Sequence, residues 1–140
     1  MDVALPLLYA LLLVAGGVYA WRRRHSRQES PRDQDAKQLQ WFREHGRDLA
    51  RPQPLEITIS FAQEDLARRA GADLERRGYR IEVFKSEADD EWILEASQVQ
   101  LVTLESAART RSDGEDTARA HGGEFCGWGF TQTVKSSRPR

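Results

Sequence analysis

His121-Gly122-Gly123-Glu124-Phe125-Cys126-Gly127-Trp128-Gly129-Phe130 closes the last patterned stretch of the chain. The glycine pair ends a helix, and a short aromatic-rich run follows. Gly127 and Gly129 flank Trp128, so a backbone free to take unusual dihedrals fixes one large side chain in place. This is a corner where a helix hands over to a strand, and the residues upstream supply its scaffold.

Working back from the corner, Thr103 is placed to cap a helix carrying Leu104, Ala107, Ala108, Arg111 and Ala118, with Ser112-Asp113-Gly114 positioned to kink or break it. Before it, Trp92, Leu94 and Ala96 begin a strand expected to reach Val102. An acidic turn runs from Ser86 to Asp90, and Tyr79, Ile81 and Val83 alternate as another strand. Leu66, Ala67, Ala70 and Leu74 recur at helical spacing over Gln63 to Arg77, with Glu64 and Asp65 in the first turn and Gly78 as the stop. Leu55, Ile57, Ile59 and Phe61 alternate with Glu56, Thr58 and Ser60, which marks a strand buried on one face. Lys37 to Leu49 reads as a short helix broken near Gly46, and Pro52 and Pro54 bar its continuation. After the corner, the final strand is expected over Phe125 to Val134. A leading helix followed by β-α-β-β-α-β predicts an α+β fold of the ferredoxin-like type. It is a four-stranded antiparallel sheet with two helices on one face and the last strand at an edge.

Ahead of this domain, Val3 to Trp21 holds nineteen residues without a charge. A helix of that length spans roughly 28 Å, close to the hydrocarbon thickness of a bilayer. Asp2 precedes it, while Trp21, Arg22, Arg23, Arg24 and Arg27 lie at its far end or just beyond. Positive charge stays on the cytoplasmic side, so the span predicts a single-pass inner-membrane anchor with its amino terminus out and the domain in the cytoplasm. A cleavable signal peptide ending near Val18-Tyr19-Ala20 is the competing reading. The expected organisation is an anchor over 1–21, a juxtamembrane linker over 22–36, the domain over 37–134 and a basic tail over 135–140.

Charge is unevenly shared along the chain. Arg22 to Pro54 carries nine basic against five acidic residues, whereas Leu55 to Val134 carries nine against sixteen. An acidic unit repels phosphate backbones, so no direct nucleic-acid binding is expected and a basic protein partner suits it better. One cysteine excludes an intrachain disulfide. Cys126 and His121 offer a nucleophile and base on paper, against the plainer reading of Cys126 as a small buried apolar residue. They also fall short of the three or four ligands a metal needs, so no cofactor or metal is expected.

Four readings stay open at this level. Trp128, with Phe125 and Phe130, either anchors a partner or closes the core. Glu87, Asp89, Asp90 and Glu91 are either a docking surface for a basic segment or a solvated face. The run Thr131 to Val134 either pairs with a partner strand or protects the sheet edge. Glu124 and Cys126 flank the corner as further partner-contact candidates.

The corner resembles that of the regulator of ribonuclease activity B family, protein inhibitors of ribonuclease E. Members of that family close with Gly-x-x-Tyr-Asp-Gly-Trp. Gly123 to Trp128 looks like a variant of it, with Phe125 and Cys126 in the tyrosine and aspartate places. Glu44-His45-Gly46-Arg47-Asp48-Leu49-Ala50-Arg51-Pro52 and Leu74-Glu75-Arg76-Arg77-Gly78-Tyr79 are similar to the family pattern too, and the resemblance covers Lys37 to Thr133. It implies a ferredoxin-like fold and a non-catalytic role, binding the scaffold region of ribonuclease E and altering RNA decay. Two features depart from the pattern: the family aspartate is Cys126 here, and the chain starts with an anchor where the relatives are soluble. The rival readings are an adaptor of the same fold in an unrelated envelope complex, and a Cys/His-dependent enzyme.

Overall fold

The computed structural model describes residues 29–131. Three helices and a four-stranded sheet follow one another as α1 (Pro31–Glu44), β1 (Gln53–Phe61), α2 (Glu64–Arg76), β2 (Arg80–Lys85), β3 (Trp92–Gln100), α3 (Leu104–His121) and β4 (Glu124–Phe130). The strands lie in the order β2-β3-β1-β4, and every neighbouring pair is antiparallel. The β-α-β-β-α-β order read from the periodicity is therefore the one observed, with β4 at a sheet edge.

Alternation in β1 sets the layering. Leu55, Ile57 and Ile59 are wholly buried on the face that meets the helices, and each such side chain contributes roughly 1.5–3 kcal/mol. One part of the core joins Ile57 and Ile59 to Ala67, Ala70 and Leu74 of α2 and to Leu94 and Ala96 of β3, while Leu55 belongs to the other. The other part gathers Leu39, Leu49, Val102, Ala107, Trp128 and Phe130 where α1 and α3 meet β4.

Several boundaries differ from the sequence reading. α1 starts at Pro31, not Lys37, because Ser30 caps it by accepting a 3.2 Å bond from the Asp33 N–H and Pro31 occupies the first turn. The residues 31–36, assigned by composition to the linker, are helical, and Asp35 is 2% exposed. α1 ends at Glu44, so Leu49 reaches the core from a loop. β3 stops at Gln100 and Val102 is buried beyond it. Tyr79 precedes β2, and its hydroxyl donates to Asp113 at 2.7 Å on α3. Ser112-Asp113-Gly114 does not break α3, which runs from a Thr103/Ser106 capping box to Gly122 in the left-handed conformation. β4 ends at Phe130, and Gln132 to Val134 lie outside the described residues.

Gly114 explains the continuity of α3. A Cβ at that position would lie 2.6 Å from the Phe125 ring and 2.8 Å from Ile57, so the glycine is there for close approach of helix to sheet. Among the described residues no helix is long and apolar enough to cross a membrane. The Val3–Trp21 span and its flank Trp21, Arg22, Arg23 and Arg24 lie outside those residues.

Candidate functional site

The corner is built around a bulge. In the β1–β4 ladder Thr58 faces Gly127 and Ile59 faces Phe125, so Cys126 is the extra residue, and Gly127 takes φ 143°. A regular strand would put Phe125 on the face opposite Trp128 and Phe130. The inserted residue flips that parity, and all three aromatics stand opposite Ile59, Ile57 and Leu55 on the helix-facing side.

Trp128 is held by two hydrogen bonds to α1. Its indole N–H donates to Asp35 Oδ1 at 2.9 Å, and its carbonyl accepts from Gln38 Nε2 at 2.6 Å, both on α1. Asp35 Oδ2 in turn accepts from Arg111 Nε at 2.9 Å, and Arg111 Nη1 reaches Glu115 at 3.3 Å. Burial alone would lower the Arg111 guanidinium, but the hydrogen bond and charge of Asp35, with Glu115 behind it, raise it above its ordinary value. The side chain of Phe130 meets Phe42 edge-on at 4.5 Å, and the Arg47 guanidinium lies 4.3 Å over the Phe130 ring. Trp128 therefore closes the core. A wholly free indole for a partner is not what this chain presents.

Cys126 is exposed, which corrects the buried reading of it, because the bulge turns its side chain outward. Its thiol lies 3.5 Å from the carbonyl of Glu124. His121 Nε2 bonds Asp73 on α2, and no described hydrogen bond joins it to Cys126. The nucleophile-and-base pairing is thus not assembled: its base is spent linking α3 to α2. Among the described residues no group of three or more His, Cys, Asp or Glu is placed to hold a metal.

The acidic candidates converge at one end of the sheet, whereas Thr131 lies at the other, its N–H bonded to the Pro54 carbonyl at 3.3 Å. At the acidic end β1 stops at Phe61 opposite Trp92, Lys85 of β2 also faces Trp92, and Glu124 pairs with Ser60. That end carries the exposed loop residues Glu87, Asp89, Asp90 and Glu91, the exposed Glu124, and Glu64 and Asp65 at the start of α2. Lys85 pairs with Asp90 at 3.3 Å and Arg68 with Glu64 at 2.8 Å. Two clusters far apart in sequence, the acidic turn and the first residue of the corner, thus share one acidic end across roughly 14 Å of sheet. Sequence reasoning missed Asp35, Gln38 and Arg111. A signal was present for the first: Asp35, Leu39 and Phe42 fall at i, i+4 and i+7, which puts a carboxylate in an apolar stripe.

A model described as regulator of ribonuclease activity B matches residues 32–130. The chain belongs to that family. Its match begins inside α1 and ends with β4, so the family unit includes the helix that carries Asp35 and the strand that carries Trp128. The regulator of ribonuclease activity B domain is thus the whole α/β unit, with α1 as part of it. A search of the curated proteins finds no match.

Proposed function

We propose that this chain is a membrane-tethered, non-catalytic regulator of ribonuclease-based RNA turnover. It acts by occupying the scaffold region of ribonuclease E or of a related degradation assembly, and the expected effect is inhibition. Its family membership carries the reading. The acidic end of the sheet, with Glu87, Asp89, Asp90, Glu91 and Glu124, supports contact with a basic segment of the partner, since opposed potentials steer and orient such encounters. The uncharged span Val3 to Trp21 and the arginines behind it support a single-pass anchor in the inner membrane with the domain on the cytoplasmic side. Tethering would raise the effective concentration of the domain toward any partner held at the same membrane.

Affinity purification of the full chain from detergent-solubilised membranes tests the proposal. Ribonuclease E or other degradation machinery should be enriched. Its absence, with envelope proteins recovered instead, would overturn the reading.

A further inference from the structure

Among the described residues the large hydrophobic side chains that stand exposed are Trp41, Val99 and Leu101. All three lie at the end of the sheet opposite the acidic one. Val99, 67% exposed, faces Pro54 next to the last pair of the β1–β3 ladder, and Leu101, 53% exposed, follows β3 directly. Leu94 and Ala96 point into the core, so Val99 continues the row of Ile93, Glu95 and Ser97 on the face turned away from the helices. Trp41 reaches the same end by another route. α1 runs alongside β4, with Asp35 on Trp128 and Phe42 on Phe130, so its last turn lies beside the end of that strand.

Cations border this apolar end. Arg47 lies over the Phe130 ring and donates to Gln53 at 2.9 Å, and Arg51 stands exposed two residues before β1. Arg80, also exposed, begins β2 in the row next to Val99, beside Ser97 and Glu56. The carboxylate that answers Arg51 is Asp48, at 3.8 Å. The chain leaves the domain here too, since the Thr131 N–H donates to Pro54, and residues 132–140 hold Lys135, Arg138 and Arg140 with no carboxylate side chain. An apolar tip set among arginines suits a surface that is anionic at its face and hydrocarbon beneath.

We propose that this end of the domain docks on an anionic bilayer, with Val99 and Leu101 entering the headgroup layer while Arg51, Arg80 and the basic tail meet the lipid phosphates. The proposal rests on the membrane-tethered reading above, and the lengths permit it. Residues 22–30 reach about 30 Å when extended, whereas the step along α1 from Pro31 to Trp41 is about 15 Å. A domain held that close needs only a weak affinity for the surface. Docked in this way the sheet stands on end, and the length of β1, about 30 Å, separates the bilayer from Glu87, Asp89, Asp90 and Glu91, which then face away from it.

A single fluorophore reads the orientation. In the full chain Cys126→Ser removes the native thiol, and a nitrobenzoxadiazole label is attached at Val99→Cys or, as the reference, at Glu87→Cys, both exposed positions. The protein is held in nanodiscs of phosphatidylglycerol and phosphatidylcholine, part of the latter spin-labelled near the headgroup. The label at position 99 should be quenched about threefold more strongly than the label at position 87, and Arg51→Glu with Arg80→Glu should reduce that ratio to about 1.5 or less. Both arginines are exposed, so the fold should survive their reversal. Chains that do not stay with the discs would overturn the anchor, and the docking with it. Chains that stay while both labels are quenched alike would overturn the docking alone and leave Val99 and Leu101 to a protein partner. A ratio that charge reversal leaves unchanged would also overturn it, because the arginines would then have no part in holding the surface.

Discussion

Asp35 is the residue on which the corner turns, since one buried carboxylate receives both the Trp128 indole and the Arg111 guanidinium. Asp35→Ala leaves a cation with 18% exposure and a buried N–H without their acceptor. Breaking such a pair from one side is expected to cost about 2–4 kcal/mol, read as a lower urea midpoint for the full chain in detergent. Tyr79 plays a comparable part between the helices. Burial, followed by the bond to Asp113 and the charge of that carboxylate, raises the phenol well above its ordinary value of 10.0. A raised folded value means the stabilisation is fully present below pH 10 and is lost as the pH climbs toward the folded value. Tyr79→Phe should therefore flatten the fall in stability between pH 9 and pH 11, measured as the difference between the two proteins in urea titrations.

Elements here are positioned by what they lack as much as by what they carry. α3 contains Gly114 in its middle, where helix propensity alone favours alanine by about 1 kcal/mol. Gly114→Ala nevertheless drives a Cβ against Phe125 and Ile57, and the expected outcome is a net loss of about 1–3 kcal/mol in thermal or urea unfolding. A gain in stability would show that helix and sheet are less closely packed than this. α1 is bound to the rest by few groups: Leu39 in the core, Asp35 and Gln38 on Trp128, and Phe42 on Phe130. Exposed Trp41 stacks on His45 at 3.9 Å instead of joining them.

At the scale of the molecule, charge is sorted by the ends of the sheet. The turn Glu87 to Glu91, the start of α2 and Glu124 share one end, whereas Arg76, Arg77 and Arg80 stand at the other, where α2 finishes and β2 begins. Reversing the four carboxylates Glu87, Asp89, Asp90 and Glu91 to lysine should therefore weaken recovery of a basic partner by at least about tenfold while leaving unfolding nearly unchanged, since all four are exposed. Unchanged recovery in quantitative affinity purification would move the contact elsewhere on the domain.

The alternating run Leu55 to Phe61, the helical spacing of Leu66 to Leu74 and the glycine stop at Gly122 were enough to read the element order, because each depends on local period and backbone freedom. The corner itself was legible as a place where aromatics and glycines meet. Its parity was not: the bulge at Cys126 exists only in the pairing of β4 with β1, and without it the inward turn of the half-buried Phe125 and the exposure of Cys126 come out reversed. The early start of α1 was hidden for a related reason. Composition makes residues 31–36 look too polar to order themselves, and what orders them is a carboxylate buried against Trp128 and Arg111, 93 and 76 residues away. Periodicity reports which side chains share a face of one element. Only the folded chain decides which distant polar groups satisfy each other once water is gone.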